Sequence, residues 1–198
     1  MNNSALLDLC QKKSYETDKF STKKTPAKHS YGNHSYIEYA YGNLFERIRS
    51  AKNVLEIGIW NGESHLLWQD YFPNAQIVGI DVNYCGAIEN QPRITQLQKD
   101  AYCLETSNSF EDGKFDLIID DGPHTFYSMK FFIQNYLPKV SKKGILCIED
   151  ISAYNWLYEL SSLVPISMRE CIKIYDLREK DNKNDSILMV IDKGALNG

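Results

Sequence analysis

No stretch of the 198 residues approaches the roughly 20 consecutive apolar residues of a membrane-spanning helix. The five cysteines, Cys10, Cys85, Cys103, Cys147 and Cys171, are odd in number, and no pair has C-x-x-C spacing. Neither a disulfide framework nor a thiolate metal site is therefore expected, and the thiols read as reduced, space-filling side chains. Charge of one sign is scarce as well. A formal net charge of -4 argues against a broad phosphate-binding face, and Lys23-Lys24 is too short a basic run to imply nucleic acid. There is no internal repeat and no low-complexity block. The opening MNNSALLDLCQKKSYETDK is polar and carries acids, unlike a secretory leader. These absences lead to the expectation of a cytoplasmic protein with no membrane partner.

What is present is an ordinary globular composition, 43% hydrophobic and 24% charged. The length suits one domain, and such a chain buries roughly 70% of its unfolded surface without staples. Residues 14–35, SYETDKFSTKKTPAKHSYGNHS, are polar and read as an arm over the domain. The expected division is an N-terminal arm, 1–35, and a single domain, 36–198. A helix is expected from about Tyr36 to Ser50, because Ile37, Tyr41, Leu44, Phe45 and Ile48 recur at spacings of three and four.

Beyond it, strands and helices alternate. NVLEIGI, QIVGID, RITQLQKD, FDLIID and GILCIED read as strands. ESHLLWQDYF, Ala101–Phe110, Phe126–Leu137 and Tyr154–Leu163 read as helices between and after them. CIKIYDL and SILMVID flank the polar turn REKDNKND and read as a closing antiparallel hairpin. Strands that are apolar on both sides of the pleat and separated by helices predict a parallel sheet covered on each face. Right-handed crossovers then make it a doubly wound α/β sheet, which binds ligands at the carboxyl ends of its strands.

The first strand runs into LEIGIWNGES, with Glu56, Gly58 and Gly62 in an E-x-G-x-x-x-G pattern. Gly58 permits a tight turn, and Gly62 lets a ligand approach the backbone where a helix begins. The dinucleotide fingerprint G-x-G-x-x-G is missing, since Trp60 stands where its second glycine would be, with Asn61 next. The second strand ends on Asp81, where a carboxylate can accept both hydroxyls of a ribose. The third ends in Asp100-Ala101, at which an adenine edge can be read. NAD-like and S-adenosylmethionine-like sites share the acid on the second strand; the missing glycine and the closing hairpin favour S-adenosylmethionine. These three segments resemble the signature segments of class I S-adenosylmethionine-dependent methyltransferases. The resemblance implies a seven-stranded Rossmann-like sheet of order 3-2-1-4-5-7-6 with the last strand antiparallel.

The fourth strand ends on Asp120-Asp121 and the fifth on Glu149-Asp150. If the two are neighbours, four carboxylates converge, and no lysine or arginine stretch in the sequence obviously neutralises them. A divalent cation would, and hard oxygen ligands suit Mg²⁺, Mn²⁺ or Ca²⁺ rather than zinc. The plainer alternative is that Asp121 caps the next helix and Glu149-Asp150 lies on a solvated loop. His124, three residues past Asp121, has the near-neutral pKa of a general base.

IDDGPH followed by GILCIED resembles the metal-dependent macrocin- and mycinamicin-type sugar O-methyltransferases. So do Y-E-T-D-K, His29-Ser30-Tyr31, Leu67-Trp68 and Tyr71-Phe72-Pro73. The resemblance implies Asp121, Glu149 and Asp150 as Mg²⁺ ligands and His124 as base, with Asp120 supporting the metal site or the cofactor. It implies S-adenosylmethionine over Glu56, Gly58, Trp60, Asn61, Gly62, Asp81, Asp100 and Ala101. The acceptor is expected to be a hydroxyl of a saccharide, a nucleotide sugar or a glycosylated small molecule. Pro123 stands where that family usually has serine.

Three other readings stay open: a catechol-type O-methyltransferase, an NAD-dependent oxidoreductase, and a non-catalytic S-adenosylmethionine-binding subunit. No K-D-K-E arrangement of RNA ribose methylation is placed on the strands. Homo-oligomerisation also stays open. Among the remaining candidates, His65 reads as core or surface, and His29 and His34 as polar loop residues. Tyr15, Tyr31, Tyr36, Tyr39 and Tyr41 are available to stack on a sugar or base, or to pack on the sheet. Thr17-Asp18-Lys19 is either a tether or a cover over the ligands.

Overall fold

The structure, a computed structural model, describes residues 4–13, 15, 17–19 and 34–197. His29, Tyr31, Lys23-Lys24 and most of the 14–35 arm lie outside the described residues. Seven strands form one sheet: β1 (Asn53–Ile57), β2 (Gln76–Asp81), β3 (Ile94–Gln98), β4 (Phe115–Asp120), β5 (Val140–Ile148), β6 (Ile172–Asp176) and β7 (Ile187–Asp192). Their order is β3-β2-β1-β4-β5-β7-β6, as the resemblance implied. The pairs among β1 to β5 are parallel, while β7 runs antiparallel to both β5 and β6.

The pleat sorts the inner strands between two cores, while the edge strands β3 and β6 stay partly exposed. Val54, Leu117, Ile119, Cys147 and Val190 face one side, under Tyr41, Phe45, Trp68 and Phe72. Leu55, Ile118, Leu146, Ile148 and Met189 face the other, under Phe132, Ile133, Tyr136 and Leu160. This two-sided burial is what makes β1, β4, the second half of β5 and β7 largely apolar. The covering helices are α3 (Glu63–Tyr71), α4 (Leu104–Asn108), α5 (Phe126–Tyr136) and α6 (Trp156–Leu163), and a short α7 (Arg178–Asp181) sits in the hairpin turn.

Two expectations need correction, and one helix was not expected. The helix expected over residues 36–50 is broken into a π-helix (Ile37–Tyr41), one α-turn, α2 (Gly42–Leu44), and a 3₁₀ turn (Phe45–Ile48). Apolar spacing sets which face is buried, and here packing of Tyr41 onto Phe45, with ring centroids 4.4 Å apart, goes with a wider turn. The helix expected over 101–110 shrinks to α4, whose LETSN sequence has weak helix formers. Helix α1 (Ala5–Lys13) has no counterpart among the sequence expectations; it buries Leu6 and Cys10 against the first core.

Parallel register brings the carboxyl ends of β1, β2, β4 and β5 to one edge. Ile57 pairs with Ile80 and Asp120, and Asp120 with Ile148. The residues just beyond these pairs therefore surround a common space.

Candidate active site

A cavity of about 1190 Å³ opens over that edge. Its first end is built from β1, β2 and β3. Gly58 has φ +92°, and a side chain there would collide with the Asp121 carbonyl, so the turn requires glycine. Gly62, at φ +81°, starts α3. Asp81 is held by the turn itself: Oδ2 accepts the Ile59 N–H at 2.8 Å and Oδ1 the Asn83 N–H at 2.8 Å. Two carboxylate oxygens offer about four acceptor sites, so capacity is left for a ligand's hydroxyls. Asp100 accepts the Tyr102 N–H at 2.8 Å. Gly58, Trp60, Asn61, Asp81, Asp100 and Ala101 all line this end.

Four of the expected site residues do not line the cavity: Glu56, Gly62, Asp120 and Glu149. Glu56 is fully buried below it. Its Oε2 accepts from Ser64 Oγ and Trp68 Nε1, both at 2.8 Å, and the buried His65 ring lies beside it. Asp120 accepts from the Tyr102 hydroxyl. Burial pushes its carboxyl up to about 7, although the Tyr102 hydroxyl and the Gly122 N–H work the other way. Each of these acids lies at or before a strand end, where its side chain falls into the protein under the rim.

The second end of the cavity is lined by Asp18, His34, Asp121, His124, Asp150 and Asp185, among others. Asp121 Oδ1 and Asp150 Oδ2 lie 3.7 and 3.8 Å from His124 Nε2. One ligand atom from each of these three residues falls within 4.8 Å of the others, and His34, Asp150 and Asp185 form a second such group. The expected trio of Asp121, Glu149 and Asp150 does not form such a group among the described residues.

The expectation that no cation neutralises the acids is overturned by Lys19. Its Nζ stands 2.5 Å from Asp121 Oδ2 and 2.9 Å from Glu149 Oε2. Glu149 turns inward to this ammonium and to the Tyr41 hydroxyl, which donates to its other oxygen. Asp150 is held by the Tyr36 hydroxyl at 2.7 Å. Tyr36 and Tyr41 thus pack under the sheet edge with their hydroxyls on acids, and neither is free to stack on a ligand. His34 is buried and joined to Ser186 Oγ at 2.7 Å, 3.4 Å from Asp150. A lysine next to an acid in T-D-K gave no sign of a partner more than 100 residues away, and this is why sequence reasoning missed it.

Even with Lys19 present, the acids are short of positive charge. Burial first, and then neighbouring acids, hold Asp150 up at about 7 and Glu149 at about 8 against the pull of Lys19; Asp121 is raised by the same causes. Carboxylate oxygens this close together suit a hard divalent cation once deprotonated, so the donor set fits one at Asp121 and Asp150. Burial, and then Lys19, lower His124, which keeps its imidazole neutral at pH 7.

Backbone strain collects around the same space. Trp60 (φ 46°), His124 (φ 52°) and Asp150 (φ 54°) all line the cavity; among the described residues the other non-glycine residues at positive φ are asparagines. Such conformations are held only where the surroundings over-determine them, and they cluster at functional sites. Pro123 before His124 and the capping box of Thr125 and Ser128 after it, with two 3.1 Å bonds, brace the turn on both sides.

Residues 55–151 match the model of a family described as methyltransferase domain. Over 137 residues, 64% of its length, the chain is 31% identical to demethylmacrocin O-methyltransferase of Streptomyces fradiae. Over 126 residues, 59% of its length, it is 30% identical to mycinamicin VI 2''-O-methyltransferase of Micromonospora griseorubida. The matches span 34% and 31% of those two proteins, so the chain aligns with about a third of each. In fold it is similar to MycE, a methyltransferase of the mycinamycin pathway solved with Mg, SAH and mycinamycin VI. That match has a TM-score of 0.70 at 21% identity and covers 98% of this chain and 55% of the other. It is also similar to a fibrillarin pre-rRNA processing protein of Methanococcus jannaschii, with a TM-score of 0.54 at 19% identity over 74% of this chain and 69% of that one.

Proposed function

We propose, from the premise that this chain carries a methyltransferase domain and is a distant homologue of the macrocin and mycinamicin O-methyltransferases, that it moves a methyl group from S-adenosylmethionine to a hydroxyl of a sugar or glycosylated small molecule. The observation that carries the reading is a single cavity with two unlike ends. One end has a glycine turn and strand-end acids. The other has a histidine whose Nε2 faces two carboxylates.

In this reading Gly58, Trp60, Asn61, Asp81, Asp100 and Ala101 hold S-adenosylmethionine, with Asp81 accepting the ribose hydroxyls. Glu56, Gly62 and Asp120 shape that end from beneath. Asp121 and Asp150 hold a divalent cation such as Mg²⁺ or Mn²⁺, with Glu149 supporting them from behind. A bound cation there would lower the pKa of an acceptor hydroxyl. His124 Nε2 takes the hydroxyl proton, its lone pair being available because the ring is neutral at pH 7. The cavity walls hold the oxygen in line with the methyl, and such positioning is a major source of rate.

Methyl transfer measured on a panel of sugars, glycosides and catechols, with and without EDTA, tests the reading. Chelator-sensitive transfer to a sugar hydroxyl is the expected result. Preference for a catechol would move the acceptor class, and full activity in EDTA would refute the cation.

A further inference from the structure

Lys19 is fully buried and stands behind the cavity, outside its lining. Besides Asp121 Oδ2 at 2.5 Å and Glu149 Oε2 at 2.9 Å, its Nζ lies 3.2 Å from Glu56 Oε1 and 3.6 Å from Asp18 Oδ1. An ammonium has three protons to donate; two go to Asp121 and Glu149, and Glu56 Oε1 faces it as a buried charge with no hydrogen bond of its own. The backbone at this point is pinned. The Lys19 carbonyl accepts the Ile37 N–H at 3.1 Å, and the Asp18 carbonyl accepts the His34 N–H at 2.5 Å. The ammonium is therefore fixed in place from its main chain outward.

Its consequence for Glu149 is geometric. One Glu149 oxygen takes Lys19, the other the Tyr41 hydroxyl, and the side chain is buried. Asp121 is split: Oδ2 faces Lys19 and Oδ1 faces His124. Asp150 Oδ2 faces the same His124 nitrogen.

We infer, resting on the divalent-cation reading above, that Lys19 is a positioning residue that serves as the cluster's resident cation. It withdraws Glu149 and one oxygen of Asp121 from the cavity, leaves Asp121 Oδ1 and Asp150 Oδ2 as the carboxylate ligands, and by repulsion caps the affinity for a divalent cation. With two carboxylates, such an ion keeps open positions for water or substrate oxygens.

The test is Mn²⁺ binding to the full chain, followed by the electron paramagnetic resonance of free Mn²⁺ with no acceptor present. Lys19→Met removes the charge at similar length, and the expected result is Mn²⁺ binding tighter by about tenfold or more, since a like charge is lost. Lys19→Arg keeps the charge and should stay within about threefold of the parent. A merely structural lysine predicts weaker or unchanged binding in Lys19→Met; either result in a folded variant overturns the inference. Should Lys19→Met fail to fold, Glu149→Gln and Asp150→Asn decide. Glu149→Gln should weaken Mn²⁺ by less than about fivefold and Asp150→Asn by about twentyfold or more, because only the second is a ligand. Equal losses overturn the inference. Absence of Mn²⁺ binding in both parent and Lys19→Met overturns the cation reading and this inference with it. Equal binding in both leaves the cation reading standing and removes this one alone.

Discussion

The two ends of the cavity hold their acids in different ways. At the β1–β3 end, Asp81 and Asp100 accept backbone N–H groups close by in the chain: Asn83 and Tyr102 each two residues on, and Ile59 across one strand pairing. At the β4–β5 end, Asp121, Glu149 and Asp150 are held by Lys19, Tyr41 and Tyr36, each more than 100 residues away. The first end is a property of the strand–turn–helix unit. The second exists only when the N-terminal segment has docked. Local backbone bonds leave an acid poised for a neutral or polar ligand. A buried cluster tied by distant side chains stores unbalanced charge, which a cation or a proton can discharge.

Separating the two ends by mutation breaks the comparison most sharply. His124→Ala should lower methyl transfer by about 10²–10⁴-fold, the usual contribution of a general base, while S-adenosylhomocysteine affinity by calorimetry stays within threefold, to order of magnitude. Asp81→Ala should do the reverse, weakening the cofactor product about tenfold or more through lost hydrogen bonds to charge. If His124→Ala abolished cofactor binding, the two ends would be one unit.

Chelation is expected to come next. EDTA should reduce transfer by about a hundredfold or more and leave S-adenosylhomocysteine binding in place. Mn²⁺ affinity should rise between pH 6 and pH 8, because Asp150, held up at about 7, must lose its proton to act as a ligand.

The same charge should be visible in stability. Asp120 and Asp150 near 7 and Glu149 near 8 keep their protons in the folded state long after the unfolded chain has released its own near 4. Stability therefore falls as pH rises through the folded pKa values. His34, lowered to about 4 chiefly by burial, and His124 act in the opposite sense, but only below about 6.5, the pKa of an unfolded histidine. In EDTA, Tm should fall between pH 6.5 and 8.5 by at least about 2–4 °C, the shift that 1 kcal/mol makes in a chain of this size. Added Mg²⁺ should flatten the slope, and a Tm that rises over this range would contradict the unbalanced cluster.

Backbone changes give the smallest effects. Gly58→Ala forces a side chain into a left-handed turn against the Asp121 carbonyl and should cost about 1–3 kcal/mol in urea denaturation. Thr125→Ala removes the cap that follows His124 and should cost about 1 kcal/mol. Its loss in methyl transfer should exceed its loss in cofactor affinity, since the cap braces only the acceptor end.

Legibility in the sequence follows the same division. Alternating apolar runs and turn residues sufficed for the strands, their order through the resemblance, and the glycine turn with Asp81 and Asp100, because each signal spans fewer than ten residues or so. The meeting of Asp121 with Asp150 was also legible, given adjacent strands. Which way each carboxylate points was not. Glu149 and Asp150 are consecutive and lie just past the end of β5 at Ile148, yet one is buried toward Lys19 and the other, at φ 54°, lines the cavity, and no strand period carries past that end to assign them. Four acids without a visible partner were a sign that some cation was required, and that cation came partly from Lys19.

By itself the sequence determined a doubly wound sheet, a glycine turn at its first strand end, and a set of acids delivered to one edge. These follow from periodicities of two and 3.6 residues and from the φ that only glycine takes freely. Only the tertiary structure decided which acids face the cavity, which are spent on Lys19, Tyr36 and Tyr41, and that His124 stays neutral between Asp121 and Asp150. Burial and the arrival of a distant ammonium set those states, and neither has a local period to be read.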